Sequence, residues 1–172
     1  MAEPLNPSPF RGGVVMALAV LILDQLAKWA ITGPIALPQR GGIELLPILR
    51  LLWVENRGVS MGFLTAGSDA ARWMLTLFTA AIAIGVAVWL WRERRLADAL
   101  ALGAILGGAI GNIADRVRLG YVADFINLHF GAWSPFLVFN VADAAISLGV
   151  VLLVLRALVA RDARPPAEEK NG

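Results

Sequence analysis

Four long apolar runs dominate the pattern along the chain, approximately Val14 to Ile31, Ala70 to Trp91, Leu96 to Ala114 and Phe136 to Ala160. Each is long enough to cross a bilayer, which takes about 20 residues. Trp73 at one end of the second run and Trp89 and Trp91 at the other resemble the aromatic belts of a spanning segment. The pattern predicts an all-α membrane protein, with four transmembrane helices (about 14–31, 70–91, 96–114 and 136–160) making one domain of residues 1–172. Between the first two runs, residues 33–69 read differently. Pro34, Pro38, Gly41, Gly42 and Pro47 break any helix, while Ile43 to Leu46 and Ile48 to Val54 are short β-prone stretches. These predict a small β-sheet between helices 1 and 2 at the membrane surface, with an edge that an extended peptide could join. Glu55-Asn56-Arg57-Gly58 reads as a turn back toward the bilayer. The polar residues 1–13 and the charged tail 161–172 read as disordered ends.

Composition sharpens this picture. The 172 residues are 58% hydrophobic, above the roughly half-apolar usage of soluble domains, and the mean hydropathy is +0.69. The first run carries Asp24 and Lys28 and lacks a small-x-small cleavage site, so it is expected to be retained and not removed as a signal peptide. There is no cysteine, which excludes a disulfide scaffold, a thiolate nucleophile and a cysteine metal site. The net charge is only +2 and the arginines are scattered at helix ends, so nucleic-acid binding has no support. Arg92-Glu93-Arg94-Arg95 forms a short basic loop that the positive-inside rule makes cytoplasmic. An even number of crossings then places both termini in the cytoplasm and the sheet outside it.

The polar residues within or beside the apolar runs carry the candidate chemistry, because charge near bilayer depth is costly and marks functional sites. Asp24 and Lys28 are four apart, on one helix face, and are expected to form a structural ion pair. Gly103, Gly107 and Gly111 recur every four residues and would let another helix approach closely. They lead to Asn112, Asp115 and Arg116, then to Asp124 in the connector, then to Asn140 and Asp143 at the start of the last run. The single histidine, His129, is expected to be a solvated loop residue. One histidine cannot supply a zincin motif, and there is no nucleophile elbow. Carboxylates remain. Two aspartates brought together do not both ionise easily, so one keeps a proton while the other activates water. The pattern alone leaves open whether Asp115 or Asp124 partners Asp143. A small proton-coupled transporter is the alternative reading, one that usually brings interrupted helices.

GNIADRVRLGYVADFI followed by FNVADAAISLG resembles the lipoprotein signal peptidases (signal peptidase II) of bacteria, as do LDQLAKW and ENRGVSMGF earlier in the chain. Met61 departs from that family's more frequent phenylalanine. The resemblance implies an aspartic endopeptidase with Asp124 and Asp143 as the catalytic pair. It implies that Asn56, Gly58, Asn112, Arg116 and Asn140 support the pair and position substrate. Asp24, Lys28, Gly108 and Asp115 would be structural, Asp115 most simply as the partner of an arginine. The implied substrate is a prolipoprotein whose cysteine carries diacylglycerol, cut on the amino side of that cysteine. The implied setting is the bacterial inner membrane, with the site near the extracytoplasmic face, a monomer, membrane lipid as the surroundings, and neither metal nor organic cofactor.

Overall fold

A computed structural model describes residues 8–58, 69–131 and 133–162. The expectations placed on Met61 and on the outermost ends, 1–7 and 163–172, fall outside the described residues. The element order is α1 (Pro9–Thr32), α2 (Leu37–Arg40), β1 (Gly42–Leu46), β2 (Leu49–Asn56), α3 (Asp69–Arg92), α4 (Leu96–Leu119), β3 (Val122–Leu128) and α5 (Val141–Asp162). Four of the helices, α1, α3, α4 and α5, are long and apolar enough to span a membrane.

Three helix boundaries differ from those expected of the apolar runs, each for a local reason. α1 begins at Pro9, ahead of the apolar run and inside the stretch expected to be disordered. Pro9 occupies the first turn, and the Ser8 hydroxyl accepts a hydrogen bond from the Arg11 N–H at 3.4 Å. α4 runs past Ala114 to Leu119 because its polar residues still face neighbouring elements, and it stops at Gly120, whose φ is +86°. α5 starts at Val141, not at Phe136. The Phe139 backbone is drawn into pairing with β3, and the Asn140 side chain caps the helix that follows.

α4 is the central helix and packs against α1, α3 and α5. Its glycines allow this. A Cβ at Gly103 or Gly107 would collide with the carbonyl oxygen of Gly13 or Ala17 on α1, and one at Gly108 would lie 2.5 Å from the carbonyl oxygen of Ala142 on α5. Close backbone approach of this kind is how helices pack where no water is expelled.

The sheet is antiparallel in the order β1-β2-β3. Its first two strands come from the connector between α1 and α3, and β3 comes from the connector between α4 and α5, for which no strand was expected. β3 is almost wholly buried. Ile31 of α1, Leu37 of α2 and Phe125 of β3 form a small core that joins the sheet to the helix ends, with Ile43, Leu51 and Trp53 packed on it. The outer edge of β3 is occupied: Phe125 and Ile126 donate to the Phe139 carbonyl at 3.1 and 2.8 Å, and Phe139 donates back to Ile126 at 3.0 Å. The outer edge of β3 is therefore already paired at Phe125 and Ile126, next to Asp124, and β1 is the sheet's other edge.

Candidate active site

Asp124 and Asp143 arrive from different elements and meet through asparagines. Asp124 lies on β3 opposite Val54 of β2, and Asn56 sits at the end of β2 opposite Val122. Asn56 Nδ2 donates to Asp124 Oδ2 at 2.9 Å, while Asn56 Oδ1 accepts from the Gly58 N–H at 3.0 Å. Gly58 has φ +91°, a conformation that glycine adopts without strain, so this tight turn fixes which way the Asn56 carboxamide points.

Asn140 serves both carboxylates. Its Nδ2 donates to Asp124 Oδ1 at 2.7 Å. Its Oδ1 accepts the Asp143 N–H at 2.9 Å, and its own N–H donates to Asp143 Oδ2 at 3.2 Å. This reciprocal pair has the form of a capping box, so one residue starts α5 and orients Asp143 within its first turn. Asn112 on α4 completes the set by donating from Nδ2 to Asp143 Oδ1 at 2.8 Å. Arg116 donates to the Asn112 carbonyl at 3.5 Å, with its guanidinium in electrostatic reach of Asp143, Asp124 and Asp115.

Asp124 is 1% exposed. Burial pushes its carboxyl up from 3.8 to about 6, helped by the charge of Asp143 and opposed by hydrogen bonds from Asn56 and Asn140 and by the charge of Lys28. An acid whose folded value lies above its unfolded value is favoured protonated, so this contribution to stability is complete at low pH and is lost as pH rises through about 6. The melting temperature in detergent is expected to fall over that window relative to Asp124→Asn, which does not titrate. Parallel pH profiles for the two proteins would contradict the raised value.

Asp24, Lys28 and Asp115 form a second buried cluster. Lys28 Nζ lies 2.7 Å from Asp24 Oδ2 and 2.7 Å from Asp115 Oδ2. The expected arginine partner of Asp115 is thus replaced by Lys28: Asp115 faces α1, whereas Arg116, one position on, turns toward the carboxylate pair. Asp115 Oδ2 also accepts the Ala123 N–H at 3.2 Å, which ties β3 to α4 beside Asp124. Gln25 donates to Asp24 and Asp115 at 3.2 Å each and accepts from Arg118 at 3.1 Å. Sequence reasoning passed over Gln25, and the only local sign is its place between Asp24 and Lys28. His129 is not solvated as expected; it is 8% exposed, with Nε2 3.1 Å from Glu44 Oε2.

A carboxylate pair held by carboxamides, one member on a strand and the other in the first turn of a spanning helix, defines a membrane protein equipped for acid–base chemistry. Comparison with known proteins makes this specific: the sequence pattern of the family described as Signal peptidase (SPase) II matches residues 16–159, and the chain belongs to that family. The lipoprotein signal peptidase of Rhizorhabdus wittichii is 62% identical over 156 residues, 91% of each chain. That of Sphingopyxis alaskensis is 46% identical over 164 residues, 95% of each. A solved structure titled as a bacterial membrane enzyme at 1.9 Å resolution superposes with a TM-score of 0.72 at 28% identity, covering 85% of this chain and 92% of its own. A second, at 2.3 Å resolution, gives 0.69 at 26% identity, covering 91% and 93%.

Proposed function

We propose that this chain is an aspartic endopeptidase that removes the signal peptide from diacylglyceryl-modified prolipoproteins, cutting on the amino side of the lipidated cysteine. The observation that carries the reading is Asn140, which hydrogen-bonds Asp124 and Asp143 at once. In the proposed reaction one carboxylate takes a proton from water as the oxygen attacks the scissile carbonyl, and the other carboxyl protonates the carbonyl oxygen. The resulting diol collapses, breaking the C–N bond with a proton passed to the leaving amine. Asn56, Asn112 and Asn140 hold the carboxylates, and Arg116, which among the described residues donates to the Asn112 carbonyl, is the group we assign to a substrate carbonyl. We further propose that it acts as a monomer.

A substrate anchored by its own helix and acyl chains would reach the site by lateral diffusion. The sheet face carrying Asn56 and Asp124 is the surface we assign to its extended segment, since Phe139 already pairs with the β3 edge at Phe125 and Ile126. We place both termini in the cytoplasm and the site toward the extracytoplasmic face, on the strength of the basic loop at 92–95. Reporter fusions at Gly42 and Trp133 should read extracytoplasmic and one at Arg94 cytoplasmic; a cytoplasmic Gly42 would put the site on the wrong side. The transporter reading finds no support: the four spanning helices are continuous, not broken at mid-depth.

The deciding experiment incubates purified protein in detergent with one prolipoprotein, with and without the diacylglyceryl group. Cleavage of the lipidated form with the unmodified form largely spared is the expected result. Equal cleavage of both would refute lipid recognition, and cleavage of neither would refute the activity.

A further inference from the structure

The Asp24–Lys28 pair does more than join α1 to α4. Asp24 is fully buried and Lys28 is 6% exposed, and each makes a contact beyond the ion pair, Asp24 with the first turn of α5 and Lys28 with Asn112 of α4. Asp24 Oδ1 accepts the Ala142 N–H at 3.0 Å. That N–H is one of the donors a helix start leaves without an intrahelical partner, and Ala142 is the residue before Asp143. Gly111 makes this reach possible, since a Cβ there would lie 2.6 Å from Asp24 Oδ2.

Lys28 acts on the other side of Asp143. Its ammonium donates to Asn112 Oδ1 at 3.4 Å, and Asn140 Nδ2 lies 3.2 Å from the same oxygen. A flipped Asn112 would set its NH2 against two donors, one of them a full positive charge. The oxygen therefore faces Lys28, and Nδ2 is left to face Asp143 Oδ1 at 2.8 Å.

We propose that the Asp24–Lys28 pair of α1 is a positioning device for Asp143: Lys28 sets the orientation of the Asn112 carboxamide, and Asp24 holds the backbone turn on which Asp143 sits. The inference rests on the assignment of Asp143 to the chemistry. It makes Lys28 a positioning residue that acts through Asn112.

Lys28→Met alone strands Asp24 and Asp115 as buried carboxylates and is expected to cost folded yield. The test therefore uses Lys28→Met combined with Asp115→Asn, which removes one charge of each sign, against Asp115→Asn alone. Steady-state cleavage of a diacylglyceryl-modified prolipoprotein is measured over a range of substrate concentrations, with melting temperatures alongside. Loss of Lys28 should lower kcat about ten- to a hundredfold with KM little changed, as expected of a misaimed catalytic group. Repeated in an Asn112→Ala background, the same change should cost less than about twofold, because the intermediary is already gone. An equal loss in both backgrounds, an unchanged kcat, or a loss that follows KM or melting temperature would overturn the proposal. Should Asn112→Ala abolish cleavage, the split between kcat and KM in the native background decides. Failure of the unsubstituted protein to cleave would instead count against the proposed activity.

Discussion

Replacing Asp124 or Asp143 by asparagine is expected to lower single-turnover cleavage by ~100-fold or more in each case, with folded protein and substrate binding largely kept. The asparagine side chain is nearly the same size and can still accept a hydrogen bond at its oxygen. At Asp124 it could keep one of the bonds from Asn56 and Asn140, and at Asp143 one of those from Asn112 and the Asn140 backbone. It can neither take a proton from water nor give one to a carbonyl. Asp115→Asn makes the contrast. Asp115 spends its oxygens on Lys28, Gln25 and the Ala123 N–H, so substitution should cost stability, about 1–3 kcal/mol for weakened bonds to a charged group. The folded Asp115→Asn protein should still cleave. A stable but inactive Asp115→Asn beside an active Asp124→Asn would show that the chemistry had been assigned to the wrong aspartate.

That contrast was only partly legible in the sequence. Asp24 and Lys28 could be paired from their spacing, because four residues apart on a helix means one face. The third member, Asp115, could not be placed, since its contact with Lys28 depends on how closely α1 meets α4. The glycines that permit the approach were visible at 103, 107 and 111, but a small-residue face does not name the partner helix. The four spans were legible because bilayer-crossing length and apolarity are properties of single segments. β3 was not. Its seven residues are nearly all buried, so no alternation marks them, and its partner strand β2 lies some 70 residues earlier in the chain. Phe136 to Phe139 are as apolar as a helix start, yet Phe139 spends its backbone on β3, a choice made by tertiary pairing and not by hydropathy.

Gly108→Leu is expected to damage both stability and activity, because the α4–α5 contact sets the register of the site. A Cβ at this position would lie 2.5 Å from the Ala142 carbonyl oxygen and 2.8 Å from Ile146 Cγ1. The first is backbone and cannot rotate away, so α5 must shift. Any helix propensity gained by replacing glycine, about 1 kcal/mol at most, is opposed by overpacking of about 1–3 kcal/mol, and a leucine adds more bulk than a lone Cβ. The shift would fall on the residues that carry the site, since the Ala142 N–H is held by Asp24 and Asp143 by Asn112. Cleavage should therefore drop further than the fall in folded fraction explains. Gly85→Leu on α3 serves as the control, because a Cβ there meets nothing within 4 Å and the added side chain has open space to occupy. Melting temperature in detergent and cleavage of the lipidated substrate are the two measurements. If Gly108→Leu matched Gly85→Leu in both, close packing of α4 on α5 would not be what holds Asp143 in place.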